Sequence, residues 1–113
     1  MSLSLLIRYR DAHRNPEVWP FCIQSVLRDC WWPLAKDLRL PMLEMLEVIH
    51  LDTSDGVRQL IAELEVAREF LARLECDRFT PGTRDYMIER ASMTLGRLRM
   101  ALEDWGKIKY VSL

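Results

Sequence analysis

A chain of 113 residues that is 50% hydrophobic and 29% charged, with four tryptophans, can fold as one domain around one core, but it leaves no room for a catalytic domain beside a separate binding domain. That composition excludes a disordered segment, and the cysteines Cys22, Cys30 and Cys76, odd in number and without close paired spacing, exclude a disulfide framework or a zinc knuckle. The net charge of −1 is unevenly spread: residues 1–40 carry +2, residues 41–79 carry −5 and residues 80–113 carry +2, and so acidic a middle argues against a nucleic-acid partner.

Leu3, Leu5, Ile7 and Tyr9 alternate with Ser4 and Arg8, the period-two pattern of a half-buried strand over residues 3–9, with Leu6 the only misfit. The run from Leu3 to Ile7 is too short for a signal-peptide core and is followed by Arg8 and Arg10, so a cytoplasmic protein with no membrane association is expected. Asp11 to Glu17, with Asn15-Pro16, reads as a loop. Pro20 suits a first helical turn, and Trp19, Ile23, Val26, Leu27, Cys30 and Trp31 then share a face, which predicts a helix from about Pro20 to Trp31. Trp32 precedes Pro33 and is pushed towards an extended conformation, so the chain should turn there. Tryptophans paired at a turn suggest a ligand platform or, more plainly, corner packing between helices.

Leu34, Leu38, Met42, Met45, Leu46 and Ile49 keep one helical phase through Pro41; because proline removes a backbone donor, the stretch reads as two helices, 33–39 and 41–50. Asp52-Thr53-Ser54-Asp55 gathers capping residues and acids where a helix begins. Val57, Leu60, Ile61, Leu64, Ala67, Leu71 and Leu74 follow as the apolar stripe of a helix over 54–76, with Glu69 and Arg73 spaced i,i+4 on its solvent side. Thr80 and Pro81 supply the N-cap and first turn of a second long helix, 83–105, and so short a link calls for an antiparallel hairpin. This helix carries two apolar series. Ile88, Ala91, Leu95, Leu98, Leu102 and Trp105 line one face, while Tyr86, Met93 and Met100, at steps of seven, lie nearly opposite. It must therefore be the central helix or meet another protein. Gly106 should end it, leaving Lys107 to Leu113 as an edge strand against residues 3–9.

Few constellations carry chemistry. Glu47 and His50 have the Glu-x-x-His spacing of di-iron helical bundles, but the other histidine, His13, lies in a loop without a matching glutamate; no metal is expected, and His50 reads as a helix-end residue. The cysteines lack a local catalytic signature, and the four glycines, at 56, 82, 96 and 106, build no phosphate loop, so neither an enzyme nor a cofactor is expected. The acids Glu44, Glu47, Asp52, Asp55, Glu63, Glu65, Glu69, Glu75 and Asp77 form either a solvated face or a surface that steers a basic partner. Arg90, Arg97 and Asp104 rim the Tyr86/Met93/Met100 strip, and Gly96 permits close approach, as at an interface.

The expected fold is a mainly α, single-domain helical bundle over residues 1–113, built on the antiparallel pair, with short terminal β-strands optional. The expected function is a non-catalytic cytoplasmic protein-binding module, most concretely a small bacterial inhibitor or immunity-type protein that neutralises a basic protein. Glu63, Glu65 and Glu69 would steer that partner, and Val66, Phe70, Tyr86, Arg90, Met93, Arg97 and Met100 would complete the contact. The alternative is a homo-oligomeric scaffold, such as a homodimer, joined through the Tyr86/Met93/Met100 face.

Overall fold

The computed structural model describes residues 2–73 and 78–113. It overturns the helical bundle: a four-stranded antiparallel sheet, in the order β2-β1-β4-β3, carries the helices in a mixed α/β architecture. The alternation of residues 3–9 becomes β1 (Ser2–Tyr9), with Leu3, Leu5, Ile7 and Tyr9 buried and Ser2 and Arg8 exposed. Its neighbour β4 (Ile108–Ser112) lies in the expected tail segment but is not an edge strand, because β3 (His50–Leu51) pairs along its other side.

The edges are instead β3 and β2 (Glu17–Ile23), the latter where the sequence suggested a loop and then a helix. Pro20 is tolerated there because an edge strand leaves one row of backbone groups out of the ladder. Its carbonyl accepts a hydrogen bond from Arg90 Nη1 at 3.0 Å. A bulge between Leu3 and Ser4 shifts the pairing, and Phe21 and Cys22, though consecutive, are both buried.

Beyond Ile23 the chain stays helical to Leu38, through α1 (Gln24–Val26), a π-helical turn (Leu27–Trp31) and α2 (Trp32–Leu38). The turn expected at Trp32-Pro33 is replaced by helix: Trp32 has φ −63° and ψ −48°, and its N–H reaches back five residues to the Leu27 carbonyl. In a regular α-helix the Pro33 ring would strike the carbonyl of Asp29, four residues back; the wider π turn relieves that clash. The chain does break before Pro41, with Arg39 left-handed (φ 56°) and Leu40 extended. The helix expected over 41–50 lasts only through α3 (Pro41–Glu44), then gives way to a 3-10 turn (Leu46–Val48) and β3, so His50 is a strand residue.

The long hairpin is present as α4 (Ser54–Ala72) and α5 (Pro81–Glu103). The hydroxyls of Thr53 and Thr80 cap them, accepting from the N–H groups of Gly56 and Thr83. The last residues of the expected 54–76 helix, with Cys76, fall outside the described residues. After α5, Gly106 sits in a 3-10 turn (Trp105–Lys107) without a positive φ, so it is no left-handed cap. Leu5, Ile7, Phe21, Ile108 and Val111 of the sheet join Leu27, Trp31, Leu60, Leu64, Met87, Leu95 and Leu98 of the helices in one core. Each such side chain contributes about 1.5–3 kcal/mol on burial. The helix α5 packs against both α4 and β2.

Candidate binding surface

The packing of α5 against α4 and β2 decides the fate of its second apolar series. Tyr86 packs against the core, Met93 is half-buried, and only Met100 remains open, at 57% exposure. The two arginines expected at the rim turn onto β2: Arg90 lies over the Tyr86 ring (5.2 Å) while bonding the Pro20 carbonyl, and Arg97 lies over Trp19 at 3.7 Å. Asp104 lines a small cavity against Tyr9 and Ile108. The strip is therefore largely an internal seam between α5 and the edge strand.

The acidic residues separate by environment. Glu63, expected to steer a partner from the surface, is buried at 6% exposure. Its Oε1 accepts from the N–H groups of Met42 (2.9 Å) and Leu43 (3.2 Å), and its Oε2 from Gln59 Nε2 (3.2 Å). A carboxylate supplied by α4 thus does the capping at the first turn of α3, where free N–H groups point outward. Glu65 pairs with Arg99 at 2.8 Å and Glu69 with Arg73, which mutes their outward field. These two glutamates, with Arg68, Ile88, Ser92 and Arg99, line a groove of about 490 Å³ between the long helices. Val66 is exposed near it, and Phe70 packs inward. Glu75 and Asp77 lie outside the described residues.

Glu44, Glu47 and Asp52 are exposed, and among the described residues no cation pairs with them. Met45 and Val48, at 59% and 67% exposure, stand between them. Met45 was expected on the core face of a helix. The helix ends too soon: Leu40, Leu43, Leu46 and Ile49 are buried at intervals of three, the repeat of a 3-10 segment, and that period turns Met45 and Val48 outward. This every-third-residue leucine spacing was the available signal, hidden by an equally good α-helical phase. The Val48 N–H donates to the Met45 carbonyl at 2.9 Å, so the two apolar residues sit on one turn.

Two contacts brace this knuckle. Glu63 holds its start, and Gln24 Nε2 donates to Glu47 Oε1 at 2.9 Å, tying it to α1 just after Ile23, itself exposed. Beside it opens a cleft of about 490 Å³ lined by Arg28, Trp32, Pro33, Lys36 and Glu44. The tryptophan pair thus divides its work: Trp31 is fully buried against Phe21 (ring centroids 5.1 Å apart), and Trp32 forms the cleft wall. The Glu47/His50 pairing is dissolved, since Glu47 bonds Gln24 while His50 stacks on Tyr110, 4.4 Å away.

Burial pushes the Cys22 thiol up to about 12, helped by the neighbouring Cys30 and opposed by Arg90. Burial likewise raises Cys30, with Asp29 adding to it, so both thiols hold their protons at neutral pH. Among the described residues no group of three or more His, Cys, Asp or Glu side chains is arranged to hold a metal ion, and no helix is long and apolar enough to cross a membrane. No protein-family model matches the chain, and no curated protein and no solved structure matches it either.

Proposed function

We propose that this chain is a non-catalytic protein-binding module that docks on a basic partner through the Met45/Val48 knuckle, in the manner of a small bacterial inhibitor or immunity-type protein. The observation that carries this reading is the pairing, on one braced turn, of the two most exposed large hydrophobic residues among those described, with Glu44 and Glu47 beside them. Apolar anchors held rigid lose little entropy on binding, and an acidic rim selects a partner of opposite sign and speeds its approach. Trp32 and Pro33 in the adjoining cleft offer a wall for one of the partner's side chains. We place the protein in the cytoplasm, a compartment that suits the free thiols of Cys22 and Cys30.

The test compares capture from the source cell's lysate by wild type and by two folded variants, Met45→Asp/Val48→Asp and Glu44→Lys/Glu47→Lys. A basic protein retained by wild type at low salt and lost by both variants supports the reading. Identical captured sets for all three, or an acidic captured protein, would sink it.

A further inference from the structure

At the end of β1 away from the knuckle, two turns are tied together. The Arg10 N–H donates to the Lys107 carbonyl at 2.9 Å, and the Lys107 N–H donates to that of Asp104 at 2.8 Å. The loop leaving β1 folds back on itself, because Asp11 accepts from the His13 N–H through Oδ1 (2.9 Å) and from the Arg14 N–H through its carbonyl (3.1 Å). This lays the Arg14 guanidinium over the Tyr9 ring, 3.5 Å from its centroid. The ring is itself fixed, 7% exposed, with its hydroxyl donating to Glu17. Arg14 is therefore a positioned cation.

Between the turns lies a cavity of about 330 Å³ lined by Tyr9, Arg10, Asp11, Arg14, Gly106 and Lys107. Three cationic residues and one acid thus line it, and among the described residues none of the three cations is within ion-pair distance of an acid. Asp11 is engaged by the His13 N–H and Glu17 by the Tyr9 hydroxyl. Glu17 and Asp104, with Arg97, belong to an adjoining cavity of about 100 Å³ that shares Tyr9 and Arg14. A Cβ built at Gly106 would meet nothing within 4 Å, so the turn leaves the cavity unobstructed on that side.

Three cationic residues against one acid leave the cavity lining with a surplus of positive charge, which a bound anion would offset. Guanidinium groups offer paired donors to oxyanions, and an ammonium adds a point charge. We infer that this cavity binds a small soluble oxyanion of the phosphate class, held by Arg10, Arg14 and Lys107. A tetrahedral group supplies an acceptor oxygen for each cation, where a carboxylate supplies only two.

Inorganic pyrophosphate titrated into the full chain, at ionic strength held constant with sodium chloride and followed by amide nitrogen–proton spectra, tests the assignment. Saturable shifts at the amides of Arg10, Arg14, Gly106 and Lys107 are expected. Arg10→Gln/Lys107→Gln, both at exposed positions, should weaken the apparent affinity at least tenfold, whereas Lys36→Gln, a remote charge loss, should leave it unchanged. If the double variant does not fold, Arg14→Lys takes its place; it keeps the charge, loses the fork and should weaken binding several-fold. Shifts that do not saturate, undiminished binding by the cavity variants, or equal weakening by Lys36→Gln would overturn the assignment. Co-sedimentation with phosphatidylinositol-phosphate vesicles without any response to pyrophosphate would overturn the soluble ligand in favour of a lipid headgroup.

Discussion

Replacing Glu63 with alanine removes the acceptor for three donors, the N–H groups of Met42 and Leu43 and the side-chain amide of Gln59. Hydrogen bonds to a charged acceptor contribute about 1.5–3 kcal/mol each, and a buried donor left unmet costs about 1–3 kcal/mol. Gln59 is exposed and can turn to water, and Met42 is half-buried, but Leu43 is fully buried and its N–H has nowhere to go. The variant also escapes the cost of keeping a carboxylate out of water, several kcal/mol in a protein interior. The balance is a loss of about 2–4 kcal/mol, which for a chain of this length lowers Tm by roughly 8–16 °C. Glu63→Gln keeps an oxygen where the backbone donors need it and should cost only about 1 kcal/mol. Urea unfolding of the three proteins gives the stabilities, and amide hydrogen exchange at Met42 and Leu43 reports the cap directly, with protection lost in the alanine variant. If Glu63→Ala falls within about 0.5 kcal/mol of wild type, as surface substitutions do, and exchange at both amides is unchanged, the carboxylate does not hold the knuckle.

Three further outcomes are expected. Arg39→Gly should raise stability by about 0.5–1 kcal/mol in chemical unfolding, because Arg39 is the one described non-glycine residue with positive φ, and glycine adopts that conformation without steric cost. Met45→Asp/Val48→Asp should leave the unfolding midpoint within about 0.5 kcal/mol of wild type, since both side chains are already open to water. Alkaline unfolding should carry the signature of Cys22: its thiol is raised from 9.0 to about 12 by burial, so the unfolded chain loses that proton first. The contribution is whole below about pH 9 and is lost towards pH 12 at up to about 1.4 kcal/mol per pH unit, and Cys22→Ala should flatten that slope.

What could be read from the sequence was whatever a single local period decides. β1 alternates, Leu6 excepted, because one of its faces is buried and the other is partly exposed, and the α4–α5 pair is legible from its stripes, its threonine caps and its short link. β2 was illegible for a physical reason. An edge strand tolerates Pro20, the bulge buries Phe21 and Cys22 side by side, and the alternation a strand should display is broken where it would be recognised. Pro33 misled in the opposite sense, since the wider π turn that accommodates it leaves no trace in local propensity.

The knuckle illustrates a deeper obstacle. In the segment after Pro41 two apolar periods compete: Met42, Met45, Leu46 and Ile49 at α-helical spacing, and Leu40, Leu43, Leu46 and Ile49 at spacing of three. Both place Leu46 and Ile49 inside, so the choice turns on Met45 against Leu43. Nothing within the segment settles it, because methionine and leucine gain similarly from burial. The deciding partner is Glu63, some twenty residues on, whose carboxylate takes the N–H groups of Met42 and Leu43 and fixes the rotation of that first turn against α4. With the turn so held, Leu43 enters the core, and Met45 and Val48 are left facing water beside Glu44 and Glu47. One buried acidic residue, read from sequence as a surface residue, thus determines which apolar side chains stay open to water.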